Sequence, residues 1–378
     1  MIYFLLPHNY SRIQNYIDYI TSDTDIEPFI SQSLYNYLLE IKEKINKVQY
    51  EWDIYKKYTN PYEYIHGVCP LNKKSISIYK PLSRSYFKLI ELYSFFKIDF
   101  TETSIQTFHL AEGPGGFIEA ISVLRDCQED TYTGMTLQDK EDSNVPAWKK
   151  SDHFLKKHKN VCIENGITGN GDILSVDNFL YVTEKYSSSM TLITGDGGFD
   201  FSENFNDQEK NIGKLLFAQI AYAVCLQKRG GVFILKIFDF FMSHTIDLLY
   251  ILTSFYEKVY VTKPDTSRYA NSEKYIVCIG FMFDSCECKP QLTNVFLKMT
   301  ESSDQVIHFL NKPISYYFLM KLEEYNCSFG QQQIENIFST LSIIETNDKN
   351  KSNKINELIK INSQKCVNWC CKYNVLHN

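Results

Sequence analysis

The chain has 378 residues, 44% hydrophobic and 22% charged, with a formal net charge of −6. That length holds one large α/β domain with flanking pieces, and so ordinary a composition excludes a chain disordered throughout. The negative charge disfavours nonspecific nucleic-acid binding, which is mainly electrostatic. It leaves room for a local basic groove, since phosphates feel charges within about 10 Å.

The apolar opening, Met1 to Leu6, lacks a basic lead-in and stops at Pro7. A secretory signal is not expected there; a short buried strand or an anchor onto the core is. No uninterrupted apolar run reaches the ~18–20 residues of a membrane span, so no membrane association is expected. Eleven cysteines are scattered through apolar segments such as those around Cys225 and Cys278. They are expected as reduced thiols in an intracellular, cytoplasmic setting.

Residues 1–78 are expected to form an N-terminal helical region, with apolar spacing through Leu34, Leu38, Ile41, Ile45 and Val48. Residues 79–285 alternate strand and helix patterns. Gln106–Ala111 predicts a strand and Gly115–Arg125 a helix. Thr131–Thr136, Val161–Glu164 and Thr191–Thr194 predict further strands. Gln208–Lys228 predicts an amphipathic helix with Ile212, Leu215, Leu216 and Ile220 on one face, stopped by Gly230-Gly231. Val232–Lys236 predicts a buried strand, Met242–Tyr256 a helix, and Lys258–Thr262 and Tyr275–Phe283 the last strands. Repeated β-then-α units imply an α/β fold with a doubly wound, mostly parallel sheet. Residues 286–378 predict a C-terminal helical extension, in which the polar stretch Asn347–Lys354 reads as an exposed loop.

Leu110-Ala111-Glu112-Gly113-Pro114-Gly115-Gly116-Phe117 lies between a strand and a helix. Glycines there let the backbone turn sharply and approach a ligand, at the strand ends where doubly wound sheets bind ligands. The spacing does not match G-x-G-x-x-G, so a dinucleotide fits poorly. Glu112 suits a cationic amino group better than a pyrophosphate, and S-adenosylmethionine (SAM) carries one. A tight turn without a ligand stays open. Asp172 could bind an adenine amino group or cap a helix.

Four charged residues stand at strand-associated places. Lys88 sits in a predicted helix, where a solvated charge is the plain alternative. Asp196 follows a strand in Thr194-Gly195-Asp196-Gly197-Gly198-Phe199-Asp200, where a turn-forming role competes. Lys236 lies inside the apolar strand segment Val232–Ile237, where an unpaired charge is costly to bury. Glu273 precedes the last strand. Together the segments SRSYFKL, LAEGPGGF, TGDGGFD, GGVFILKIF and KPDTSRYANSEKYIV, in this order, resemble the FtsJ/RrmJ-like ribose 2′-O-methyltransferases. The EGPGGF and DGGFD forms look closest to the mRNA cap-1 branch, both cellular and viral.

The resemblance covers about residues 80–283 and implies a Rossmann-like SAM-dependent methyltransferase fold. It implies a catalytic tetrad of Lys88, Asp196, Lys236 and Glu273. It implies SAM contacts from Glu112, Gly113, Pro114, Gly115, Gly116, Phe117, Asp172 and Asp196. The implied partners are RNA, the capped 5′ end of mRNA in particular, and the capping or transcription machinery. A ribose hydroxyl is a poor nucleophile and needs an oriented base. A lysine serves only when neutral, and its ordinary pKa is ~10.4. Burial and a second cation lower such a value, so Lys236 is expected to act as base, with Lys88, Asp196 and Glu273 tuning it.

Basic clusters at Lys80 and Arg84, at Lys149, Lys150, Lys156, Lys157 and Lys159 around Trp148, and at Lys263, Arg268 and Lys274 could meet phosphates or simply face solvent. Cys286, Cys288, Cys366, Cys370 and Cys371 lack paired C-x-x-C spacing, so no metal site is expected. Alternatives are a ribosomal or transfer RNA target, a noncatalytic RNA-binding or polymerase-accessory subunit on the same fold, and, remotely, a dinucleotide oxidoreductase. The Asn-, Ile-, Lys- and Tyr-rich composition suits a viral or protist genome.

Overall fold

A computed structural model describes residues 1–139, 147–198, 207–302, 304–346 and 348–378. Strands β1 (Ile2–Leu5) and β2 (Ile17–Ser22) precede helices α1 (Gln32–Asn46), α2 (Gln49–Thr59) and α3 (Ser85–Phe95). The alternating region then runs β3 (Gln106–Leu110), α4 (Gly116–Arg125), β4 (Thr131–Met135), α5 (Asp152–Lys157), β5 (Val161–Ile163), α6 (Val176–Lys185) and β6 (Met190–Gly195). It continues with α7 (Gln208–Leu226), β7 (Gln227–Ile237), α8 (Ser243–Leu252), β8 (Tyr256–Lys263) and β9 (Lys274–Phe281). Helix α9 (Lys289–Glu301), β10 (Gln305–Leu310), α10 (Tyr316–Glu345) and α11 (Asp348–Lys372) close the chain.

The main sheet has the order β1-β8-β9-β7-β6-β3-β4-β5. Strands β5, β4, β3, β6 and β7 are mutually parallel, and β9 inserts antiparallel between β7 and β8. The expected doubly wound α/β sheet is present, with its antiparallel strands at one side. Central β6 is buried at all six positions, as the uninterrupted apolar character of a strand covered on both faces requires. Helices α7, α8 and α9 pack on one face around Phe217, Phe233 and Phe296; α3 and α4 cover the other around Phe87, Phe117 and Ile234. From β3 the chain proceeds to β4 and β5 on one side and later returns to β6 on the other. That reversal opens a crevice at the carboxyl ends of β3 and β6.

Three expectations change. Helix α7 ends at Leu226 rather than at the Gly230-Gly231 pair, which lies inside β7. The Gln227 side chain donates to the carbonyls of Met190 and Thr191 (2.9 and 3.2 Å), pinning the chain to β6 as soon as the helix stops. The flanks are not purely helical. β1 adds an antiparallel edge to β8, alternately half-buried and exposed, and β2 pairs with β10. The polar stretch before Lys354 is the start of α11 rather than a loop, though Asn347 itself is outside the described residues. There Lys351 Nζ donates to the Ile344 carbonyl at 2.9 Å, satisfying the end of α10. No helix among the described residues is long and apolar enough to cross a membrane.

A third, smaller apolar cluster joins α1, α2 and α10 through Leu38, Ile41, Trp52, Ile337 and Leu341, with Phe241 from the segment before α8. The terminal helices therefore pack on each other beside the carboxyl end of β7, and not merely against the sheet.

Candidate active site

The turn after β3 is held from within. Gly115 adopts φ +99°, a left-handed conformation that glycine tolerates best, and starts α4. A side chain at Gly116 would collide with the hydroxyls of Ser83 and Ser85, so this glycine lets the start of α3 settle against the turn. The Glu112 carboxylate points inward. One oxygen accepts from the amides of Phe117 and Ile118 (2.9 Å for Ile118), and the other from the Thr194 hydroxyl at 3.1 Å, with His109 Nδ1 also 3.1 Å away. Its side chain is fully buried. The carboxylate expected from the sequence to meet a cofactor ammonium has internal partners here, capping α4 and bridging β3 to β6. Phe117 is likewise a core residue, its ring 6.1 Å from that of Tyr275. Gly113 donates its amide to Thr136 Oγ1 at 3.3 Å, and the Pro114 carbonyl accepts from Ser151 Oγ at 2.5 Å.

Asp172 is half-buried in the loop before α6. That loop is tied to the segment after β4, where the Gln138 amide donates to the Asn170 carbonyl at 2.7 Å. Asp172 Oδ1 accepts from the Leu174 amide at 2.9 Å. The cap of α6 is Ser175, which removes the helix-capping alternative for Asp172. Asp172 thus stands beyond β4 and Asp196 beyond β6, the two strands that flank β3 and its glycine turn.

The four charged residues come together as two linked pairs. Lys88 Nζ lies 2.7 and 2.8 Å from the two oxygens of Glu273. Lys236 Nζ donates to the Asp196 carbonyl oxygen at 2.6 Å and lies 3.3 Å from its Oδ1. All four side chains are between 8% and 15% exposed. Tyr275, opposite Lys236 in the β7–β9 register, joins the pairs: its hydroxyl donates to Asp196 Oδ1 at 3.2 Å, and Lys88 Nζ sits 5.8 Å from its ring centre. Burial lowers the pKa of Lys88, against the raising effect of the Glu273 and Asp196 charges. Burial alone would raise Glu273, but the ammonium groups of Lys88 and Lys236 hold its carboxyl well below the ordinary range. Glu273 therefore stays ionised and fixes Lys88.

The segment that presents Glu273 is built by residues expected near phosphates. Lys263 is buried and donates to the carbonyls of Asn271 and Glu273 at 2.7 and 2.8 Å. Lys274 is buried against Asp239 at 2.7 Å and the Ser272 carbonyl at 2.9 Å. These two lysines shape the site from behind and do not face a groove, which corrects the phosphate reading for both. Arg268 makes a two-pronged pair with Glu63 (3.0 and 2.7 Å), and Arg84 donates to the Thr266 carbonyl at 3.1 Å. Tyr275 and Ser267, which donates to Glu273 Oε1 at 2.8 Å, were missed in the sequence. Their only signal was a place in the segment KPDTSRYANSEKYIV that carries Glu273. Phe199 and Asp200 of the DGGFD segment lie outside the described residues.

The model of the FtsJ-like methyltransferase family matches residues 81–281, which is more than half of the chain. The chain belongs to the FtsJ-like methyltransferase family. Among curated relatives it is similar to cap-specific mRNA (nucleoside-2′-O-)-methyltransferase 2 of Drosophila melanogaster, 27% identical over 66% of this chain and 37% of that one. The enzyme of the same name from Pongo abelii is 26% identical over 86% of this chain and 44% of its own. Cap-specific mRNA (nucleoside-2′-O-)-methyltransferase 1 of Trypanosoma cruzi is 42% identical over 31% of this chain and 33% of its own. The chain spans less than half the length of each of these relatives. All three are eukaryotic, so the leaning toward a viral source gains no support from them.

SAM is the methyl donor of FtsJ-like methyltransferases, and when bound it supplies an electrophilic methyl group on a sulfonium. The residues present fit it. Asp172 and Asp196 would be the carboxylates available to its polar groups, and Gly115 bares the backbone of the turn. In this FtsJ-like site Gly198 has a specific reason: a Cβ there would stand 3.2 Å from Lys236 Nζ. Gly198→Ala should leave the melting temperature unchanged, because a flexible amine can move aside. It should lower kcat about tenfold by misplacing that amine. Thermal melts and steady-state kinetics on the same preparation check both parts.

Proposed function

We propose that the protein transfers a methyl group from SAM to a ribose 2′-hydroxyl of RNA, at the first transcribed nucleotide of capped mRNA, converting cap-0 to cap-1. The observation that carries this reading is the paired lysine–carboxylate arrangement at the crevice. The Asp196 carbonyl and carboxylate aim the Lys236 amine from one side. A hydroxyl presented to that amine is oriented by it and gives up its proton to it as the oxygen attacks. Glu273 neutralises Lys88 and holds its ammonium in place, so the pair supplies a fixed, oriented dipole rather than a second base. The glycine turn and the buried Glu112 cap keep the donor side rigid.

The names of the relatives support a capped-mRNA substrate. The test is methyl transfer from radiolabelled SAM to three substrates: a short cap-0 RNA, its uncapped counterpart and a transfer RNA. Transfer to the cap-0 RNA in preference to the other two is expected. Equal transfer to the uncapped RNA, or transfer to the transfer RNA alone, would move the protein to a different RNA target within the same chemistry.

A further inference from the structure

A cavity of about 680 Å³ opens between α1, α2, α10 and the segment that carries Glu273. It adjoins the segment that presents Glu273. Ala270, Asn271 and Ser272 line it, and the next residue is Glu273. Phe238 also lines it, and a Cβ at Gly198 would stand 3.2 Å from Lys236 Nζ and 3.7 Å from the Phe238 ring. A molecule filling the cavity therefore lies against Phe238, whose ring borders the space between Gly198 and the Lys236 amine. The size falls within the usual range for small-ligand pockets, about 300–1,000 Å³.

The lining is dominated by amides, each fixed at one end. Gln333 donates to the Ala270 carbonyl at 3.0 Å, and Asn336 to the Thr59 carbonyl at 2.9 Å. Gln208 accepts from Ser272 Oγ at 2.7 Å, and Asn271 accepts from Lys263 at 2.9 Å. Asn60, nearly fully buried, donates to Glu63 at 2.7 Å, while its Oδ1 has no partner among the described residues. The opposite amide ends of Gln333, Asn336, Gln208 and Asn271 also lack a protein hydrogen bond among the described residues. A buried polar atom left this way, as Asn60 Oδ1 is, is costly unless something pairs with it, and the other amides present their free ends to the cleft or to solvent. Trp52 and Phe238 add flat apolar surface, and Lys56 adds a partly exposed positive charge beside Asp53.

Donors and acceptors held in fixed directions, aromatic surface and a cation at the rim are what an unpaired nucleobase and its phosphate need. We infer that this cleft binds a base of the RNA lying within a nucleotide or two of the ribose at Lys236. The terminal helices then belong to the substrate site. The inference rests on the RNA methyltransferase reading above, and it assigns the selection of sequence or of the RNA end to α1, α2 and α10. A protein segment is the less favoured occupant, since the wall carries unpaired amides rather than a continuous apolar face.

The test uses the full chain with Asn336→Leu and, separately, Lys56→Ala, which removes a charge at the rim. A short cap-0 RNA is titrated while tryptophan fluorescence is followed, and KM and kcat for that RNA are measured alongside SAM affinity by calorimetry. The expected result is a KM for RNA raised about tenfold in Asn336→Leu and less in Lys56→Ala, with kcat and SAM affinity near wild type. Quenching of the wild-type fluorescence by RNA, weakened by Trp52→Phe, is expected as well. Wild-type KM and quenching in both variants would overturn the inference, and a protein occupant would give that same result. RNA binding through the cleft with no methyl transfer by the wild-type protein would uphold the cleft and overturn the methyltransferase reading. Methyl transfer with KM indifferent to both substitutions would do the reverse.

Discussion

Lys236→Ala is expected to lower kcat for RNA methylation by about a thousandfold, the scale of a lost general base, while SAM binding is unchanged. Among the described residues, the polar contacts of this amine all come from Asp196, at 2.6 and 3.3 Å, on a single side. Its remaining hydrogen-bonding capacity faces the place where Gly198 leaves room. Truncation removes the proton acceptor and the hydroxyl's anchor together. It does not touch the glycine turn, which is built by β3, α4 and Glu112. Lys236→Arg keeps the charge but not the ability to take a proton, so it should be nearly as inactive as the alanine variant. Single-turnover kinetics with calorimetric SAM titration separates these effects. Activity within a few-fold of wild type in either variant would remove Lys236 from the role of base.

Glu112→Ala is expected to cost about 3 kcal/mol of folding stability, because each buried group left without its partner costs about 1–3 kcal/mol. Two amides at the start of α4 and the Thr194 hydroxyl lose their acceptor in one step. Glu112→Gln, which keeps one carbonyl oxygen for the two amides, should recover part of the loss. Denaturant unfolding gives the free energies. If Glu112 instead bound the ammonium of SAM, stability would stay near wild type and SAM affinity alone would collapse, in the glutamine variant as well as in the alanine one.

The contrast between these two residues shows what is legible in the sequence. Lys236 announces itself because a lysine inside Val-Phe-Ile-Leu needs a reason, and the strand it predicts is the strand observed. Asp196 and the glycine turn follow from strand ends and glycine, and the alternation of elements gives the sheet. The direction of a side chain is a different matter. Glu112 could face ligand or core with the same neighbours in sequence, and only the packing of β3 against β6 decides. Lys263 and Lys274 look like solvated or phosphate-facing charges, yet acceptors on Asn271, Ser272 and Asp239 draw them inside. Helical spacing through Leu38 and Ile41 shows that α1 buries a face. It does not show that the partner is α10, near the other end of the chain, nor that a cleft beside the segment leading to Glu273 results.

The most direct measurement is the position of the transferred methyl. Cap-0 RNA incubated with the protein and SAM is digested to nucleosides and cap dinucleotides and analysed by mass spectrometry. A 2′-O-methylated ribose at the first transcribed nucleotide, formed by the wild-type protein and absent with Lys236→Ala, is the predicted result. A methyl group on a base, or the same ribose product formed equally well by Lys236→Ala, would contradict the account.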